Sequence, residues 1–258
     1  MSSPARGWRH GCGGWTSADS VPLTDRALRY GMAVFETIGI RGGQPLFFAE
    51  HARLLAAAAR ELLGLHIEPD VPELHPADRG VLRLYVTAGD GTPTDPAENP
   101  RLFALFDALA GELPGQQSAR LHPQAVFPFA HGAKTANYWM QCAAQAAARA
   151  DGFDHALLFD EEGRVLSAAM GNVFFVMDGE LCTPSLSLAV RPGVMRSWVM
   201  DRQPAREIEC PAWRMEEAGE IFLTNSRLGV MPLQFGKIGP GPVGCALRDR
   251  CHREKLVP

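Results

Sequence analysis

The sequence predicts an α/β chain of the α+β kind, folded as two domains, and three observations predict it. Strand-like runs rich in Val, Phe, Thr and Ile alternate with stretches dense in Ala and Leu. Gly-Gly, Asp-Gly and similar pairs punctuate them as tight turns. A stretch rich in Gly, Pro and Gln near the middle is followed by a fresh start of the same pattern. At 258 residues the chain is long enough for one large or two small domains with a buried core.

The elements follow in order. Residues 32–41 read as a strand, and Gly42-Gly43 supplies the positive φ for a turn into Gln44-Pro45-Leu46-Phe47. Residues 49–63 read as a helix stopped at Gly64. Residues 81–87 alternate as a strand and end in Gly89-Asp90-Gly91, and residues 101–106 form another. These place a small α+β domain over 1–110 and a linker over 111–124. A larger domain over 125–258 then opens with a helix at 137–150. Strands follow at 155–160, at 172–177 turned by Asp178-Gly179 into 180–183, at 207–210 and at 220–224. A helix starts near Gly193, and the last runs over 242–253.

Composition narrows the function classes. Hydrophobic content of 46% and charged content of 21% are ordinary for a soluble globular protein. A net charge of −4 offers no basic surface to nucleic acid and no polybasic anchor to anionic lipid. No apolar run approaches the roughly 20 residues of a membrane span, and the first residues lack the apolar core of a signal peptide. The expectation is a cytoplasmic protein with no nucleic-acid or membrane partner. The cysteines at 12, 142, 182, 210, 245 and 251 form no C-x-x-C pair, so free thiols are expected and no metal.

Two segments bear on chemistry. Lys134, in His131-Gly132-Ala133-Lys134-Thr135-Ala136-Asn137-Tyr138, stands at the head of a helical stretch; taken alone it reads as a surface lysine, since an amine becomes nucleophilic only where burial and neighbours lower its pKa. Pro192-Gly193-Val194-Met195-Arg196 precedes a helical run. A glycine there lets backbone N–H groups approach an anion, and the helix dipole adds positive potential. An ordinary helix start with Pro in its first turn fits the same letters. Between them lies Val165-Leu166-Ser167-Ala168-Ala169-Met170-Gly171-Asn172-Val173-Phe174-Phe175, and after them Thr224-Asn225-Ser226-Arg227-Leu228-Gly229. Upstream are Asp25-Arg26, Tyr30-Gly31, Phe35-Glu36-Thr37 and Phe48-Ala49-Glu50-His51-Ala52-Arg53-Leu54.

In this order and spacing the motifs resemble the fold-type IV pyridoxal-phosphate (PLP) enzymes: branched-chain and D-amino-acid aminotransferases and aminodeoxychorismate lyase. The resemblance runs from about residue 20 to the C-terminus. It implies two α/β domains with PLP in the cleft between them, and a homodimer whose partner helps close each site. It implies that Lys134 carries the cofactor covalently and that Gly193, Val194 and Met195 hold its phosphate through their backbone. Ser226 adds a hydroxyl and Arg53 a guanidinium to that phosphate, while Asn225 and Tyr138 also face the cofactor. Tyr30, Phe35 and Thr224 fall on the substrate side. Ser167 stands where the family keeps a glutamate against the ring nitrogen, and His51 and Arg53 are two residues apart where the family has three. Three functions follow from the resemblance. One is a lyase releasing pyruvate and p-aminobenzoate from aminodeoxychorismate, favoured by Thr224-Asn225-Ser226. Another is an aminotransferase for branched-chain or D-amino acids. The third is a PLP-binding protein whose catalysis is lost or altered at Ser167.

Overall fold

The computed structural model describes residues 5–127 and 132–258, so His131 of the lysine motif lies outside the described residues. The chain divides into two compact units, one of Met1–Gly111, Ala133–Asn137 and Val257–Pro258, the other of Glu112–Gly132 and Tyr138–Leu256.

The first unit holds β1 (Arg6–Gly11), β2 (Gly14–Ser17), α1 (Arg26–Tyr30), β3 (Ala33–Arg41) and β4 (Gln44–Pro45). It continues with α2 (Phe48–Leu63), β5 (Arg79–Thr87) and β6 (Arg101–Ala108). The strands form an antiparallel sheet in the order β2-β1-β6-β5-β3-β4. Asp25 caps α1 by accepting from the Ala27 N–H, and Gly31 closes it at a φ of 69°. Along α2 the buried residues His51, Leu55 and Ala59 recur every fourth position, so one stripe faces the sheet. There it joins Val34, Ile38, Leu82, Leu84 and Phe106 in one core. Gly42 and Gly43, at φ 60° and 73°, make the turn expected of them.

The second unit holds β7 (Gln117–Leu121), α3 (Trp139–Ala150), β8 (His155–Phe159), β9 (Val165–Ala168), β10 (Asn172–Met177) and β11 (Glu180–Pro184). It continues with α4 (Val194–Met200), β12 (Arg206–Ile208), β13 (Glu220–Asn225), β14 (Gly229–Phe235) and α5 (Pro242–Arg253). Its sheet runs β12-β11-β10-β13-β14-β7-β8-β9. Alternation along β10 puts Val173, Phe175 and Met177 into the main core with Ile221, Leu223 and Met231. Phe174 points to the other face and stacks on Phe222, their rings 5.2 Å apart. Glu220, buried at the start of β13, caps α5 by accepting from the N–H groups of Val243 (3.1 Å) and Gly244 (2.9 Å).

Three expectations are corrected, and the hairpin of β1 and β2 is an addition to them. Residues 117–121 of the expected linker are β7, which pairs in parallel with both β14 and β8. The strand expected at 207–210 lies at Arg206–Ile208. The helix expected from 137 begins at Trp139, because Asn137 spends its side-chain amide on the Gly31 carbonyl (3.2 Å). Among the described residues no helix is long and apolar enough to cross a membrane.

Candidate active site

Three stretches of the second unit are tied to one another by two asparagines. Asn172 opens β10 and is buried, and its Nδ2 donates to the Arg191 carbonyl at 2.8 Å. This fixes the loop before α4 against the start of β10. Asn225 closes β13, and its Nδ2 donates to the Met170 carbonyl at 3.0 Å. Its Oδ1 accepts from the Arg227 and Leu228 N–H groups at 3.0 and 2.7 Å, which shapes the β13–β14 turn. Asn172 and Thr224 stand directly opposite each other in the sheet. Gly171 is required beside them, since a Cβ there would lie 2.5 Å from the Thr224 carbonyl oxygen. The Tyr138 hydroxyl reaches the Ala169 carbonyl at 3.5 Å, so Tyr138 also touches this assembly. Thus Tyr138, Asn172, Gly193, Thr224, Asn225 and Ser226 belong to one neighbourhood, with Val194 and Met195 in the adjoining first turn of α4.

The geometry around Gly193 suits an anion. Gly193 is the residue before α4, at φ −66° and ψ 145°, and no side chain caps the helix. Its backbone angles are open to any residue, so sterics explain the glycine: a Cβ would collide with Asn172 Oδ1. The first N–H groups of α4 therefore stand uncovered by a side chain of their own segment. Met195 and Val194 bury their side chains and contribute through backbone only. Arg196 of the same motif is buried and held by Glu207 (3.2 Å) and the Pro184 carbonyl (3.3 Å), so it braces the helix.

Hydroxyls lie in the same unit. Thr224 Oγ1 is fully buried and has no hydrogen-bond partner among the described residues, a cost of about 1–3 kcal/mol that a bound ligand would remove. Ser226 is half-buried in the turn that follows. Ser167 lies on β9 opposite Leu158, half-buried between the buried Leu166 and Ala168. Glu161 and Glu162 are exposed in the turn before β9, with Glu162 engaged by Arg164 at 3.0 Å. The stretches 165–172, 189–196 and 224–229 contain no Asp or Glu.

In the first unit, Lys134 lies on a segment that extends the sheet. β4 covers only the far end of β3, so the near end pairs instead with residues 133–136. The Phe35 N–H donates to the Lys134 carbonyl (2.8 Å), and the Ala136 N–H donates to the Ala33 carbonyl (2.9 Å). Lys134 is half-buried, and its Nζ sits 4.6 Å over the Phe35 ring. Phe35 is thereby joined to Lys134. Tyr30 is instead exposed at the end of α1, beneath the Arg29 guanidinium at 4.8 Å. Arg53 projects from the exposed side of α2. The two-residue spacing sets it about 200° round the helix from His51, and His51 is buried on Glu36 with Nδ1 and Oε2 2.9 Å apart.

Sequence reading missed the tying roles of Asn172 and Asn225; the signal was an amide residue at each strand end facing a glycine. In the second unit the uncapped turn, the glycine that cannot bear a Cβ and the orphaned Thr224 hydroxyl fit a phosphate group. Ser167, expected at the ring nitrogen, is a neutral hydroxyl.

Comparison with known proteins gives the same direction. The family profile described as Amino-transferase class IV matches residues 33–234. A probable branched-chain-amino-acid aminotransferase of Thermotoga maritima is 33% identical over 106 residues, so the chain spans only 38% of that relative, with 36% of its own length. The aminodeoxychorismate lyase of Vibrio harveyi is 26% identical over 237 residues, 83% of this chain and 86% of the relative. Among solved structures, an aminotransferase from Brucella abortus bound to the co-factor PLP is similar at a TM-score of 0.82 and 22% identity, covering 97% of this chain and 99% of that one.

Proposed function

We propose, for a chain that belongs to the class IV aminotransferase family, a lyase reaction of the aminodeoxychorismate type. The substrate loses its enolpyruvyl side chain as pyruvate, and the ring aromatises to p-aminobenzoate. The observation that carries the reading is Ser167, a neutral hydroxyl where charge at the ring nitrogen is otherwise held.

PLP, the family's cofactor, supplies when bound an electron-withdrawing ring beside the substrate amine. The backbone N–H groups of Val194 and Met195 bind its phosphate, with the Ser226 hydroxyl, Arg53 and the Gly193 turn in support. Asn225 and Tyr138 shape the wall on which it rests. Lys134 Nζ holds it covalently and handles the proton lost from the substrate ring. Thr224 and Phe35 border the substrate, and Tyr30 lies further out. Ser167 would offer the ring nitrogen a hydroxyl without a charge to keep it protonated, so the bound group would supply a weaker electron sink. Amino-group transfer depends on a strong sink, because charge must rest there while a proton moves to a second carbon. Elimination drains the charge at once into the departing group and tolerates a weak one.

Amino-group transfer is the second reading, supported by the name of the Thermotoga maritima relative. A homodimer in the cytoplasm completes the proposal, supported by the exposed apolar side chains of Leu23, Leu28 and Trp139, which a second copy would cover.

The test incubates PLP-loaded protein with aminodeoxychorismate and, separately, with a panel of branched-chain and D-amino acids. Equal yields of pyruvate and p-aminobenzoate are expected. Keto acid from the amino acids without p-aminobenzoate would replace the lyase by an aminotransferase. Silence with every substrate, with PLP bound, would leave a cofactor-binding protein.

A further inference from the structure

The sheet of the first unit has one face beneath α2 and a second face of different chemistry. On the second face three aromatic residues share one rung: Phe35 is directly opposite Tyr85, and Tyr85 is directly opposite Phe103. The rung continues to Lys134, whose backbone pairs with Phe35 and whose Nζ lies 4.6 Å over that ring. Phe35 and Tyr85 stack with centroids 5.0 Å apart and planes 19° apart. Phe35 and Phe103 are buried, whereas Tyr85 between them is only half-buried. Its ring is therefore stacked on Phe35, with Phe103 opposite on the next strand, and it stays partly exposed.

A tyrosine that merely filled a core would be as covered as its two neighbours. Two residues along β5, Arg83 is paired with Asp107, so its charge is already balanced. The surface beside the Lys134 amine is thus an aromatic floor bordered by a neutralised ion pair. Burial pushes the Tyr85 phenol above its ordinary pKa, with Asp107 adding and Arg83 opposing. The hydroxyl stays protonated and places no negative charge in the path of an anionic substrate.

We propose that Tyr85 is a specificity-determining residue: its ring supports a planar ring of the substrate beside Lys134 and selects ring-bearing amines over open-chain amino acids. The lyase reading identifies that ring as the one that becomes p-aminobenzoate. The position of the floor rests on the geometry alone. Edge-to-face contact is the favoured arrangement between aromatic rings, and it is worth about 0.5–1.5 kcal/mol beyond area, or roughly two- to tenfold in affinity.

The experiment titrates p-aminobenzoate and, separately, L-leucine into the PLP-loaded wild type, Tyr85→Leu and Tyr85→Phe, following cofactor absorbance. Tyr85→Leu is expected to weaken p-aminobenzoate roughly three- to tenfold and leave L-leucine unchanged, while Tyr85→Phe keeps wild-type affinity for both. Tyr85→Ile, suited to a strand, makes the same comparison if the leucine variant does not fold. Equal loss for both ligands, unchanged p-aminobenzoate binding, or no p-aminobenzoate binding to wild type would overturn the assignment. Pyruvate release is measured in parallel. Absent release with a selective loss of p-aminobenzoate binding sinks the lyase reading alone. Normal release with unaltered binding sinks the role of Tyr85 alone.

Discussion

Gly193→Ala tests the phosphate cradle most directly. The backbone at Gly193 has φ −66° and ψ 145°, so alanine carries no conformational penalty there and its effect comes from contact. The added methyl would overlap Asn172 Oδ1. Asn172 is buried, and its Nδ2 holds the Arg191 carbonyl at 2.8 Å, so it yields only by breaking that bond. Overpacking costs about 1–3 kcal/mol, and the lost hydrogen bond adds about 1 kcal/mol. A protein of this size loses roughly 2–4 °C of Tm per kcal/mol. Thermal unfolding without cofactor should therefore fall by roughly 5–15 °C. Displacement of the Gly193 turn also misaligns the Val194 and Met195 N–H groups. The loss of one charge-assisted bond weakens PLP by roughly ten- to a hundredfold. Gly115→Ala is the control, because a Cβ there meets nothing within 4 Å. A Gly193→Ala protein with unchanged Tm and unchanged PLP affinity would refute the packing of Asn172 against this turn.

Three other expectations follow from the same structure. His155 is buried with Nε2 2.8 Å from Gln117 Oε1, and burial lowers its pKa from 6.5 to about 4. The unfolded chain then binds the extra proton first, so stability is full above about pH 6.5 and is lost as pH falls toward 4, by at most about 3 kcal/mol. Urea unfolding across that window should show the slope in wild type and a flatter line in His155→Gln. Asn225→Ala removes bonds to Met170, Arg227 and Leu228 together. It should cost about 2–4 kcal/mol by denaturant titration, whereas Asn225→Asp, which keeps the acceptor, should cost less. Ser167→Glu should raise the rate of amino-group transfer to the cofactor, followed by the appearance of pyridoxamine phosphate. A wild type that already transfers at an equal rate would remove Ser167 from the argument.

Local signals were legible where one residue decides the local backbone. Gly64 ended its helix at φ 69°, and the Gly42-Gly43 turn formed as written. What stayed hidden depended on partners distant in sequence. β7 sits in a stretch rich in Gly, Pro and Gln, and of its residues only Ala119 is buried. It is a strand because β14 and β8 flank it, and neither is adjacent in sequence. Likewise Lys134 was placed at the head of a helix, yet its backbone bonds run to β3, some hundred residues earlier. Motif letters singled out Asn172, Asn225 and Gly193, but not that both asparagines serve the backbone. Arg53, proposed for the phosphate, lies on the exposed side of α2, a consequence of its spacing from His51 at about 100° per residue that motif letters do not carry.

With both asparagines spent on backbone carbonyls, the second unit's stretches 165–172, 189–196 and 224–229 offer amide N–H groups and the hydroxyls of Ser167, Thr224 and Ser226. Its three stretches hold Arg191, Arg196 and Arg227 but no acidic residue. Arg196 is paired with Glu207, and these stretches hold no carboxylate that would stabilise an added positive charge. Such surroundings suit a phosphate and a carboxylate-bearing substrate. In the proposed lyase, where Ser167 would face the ring nitrogen, no carboxylate of these stretches would hold a proton there, which agrees with a reaction in which negative charge leaves with a departing group.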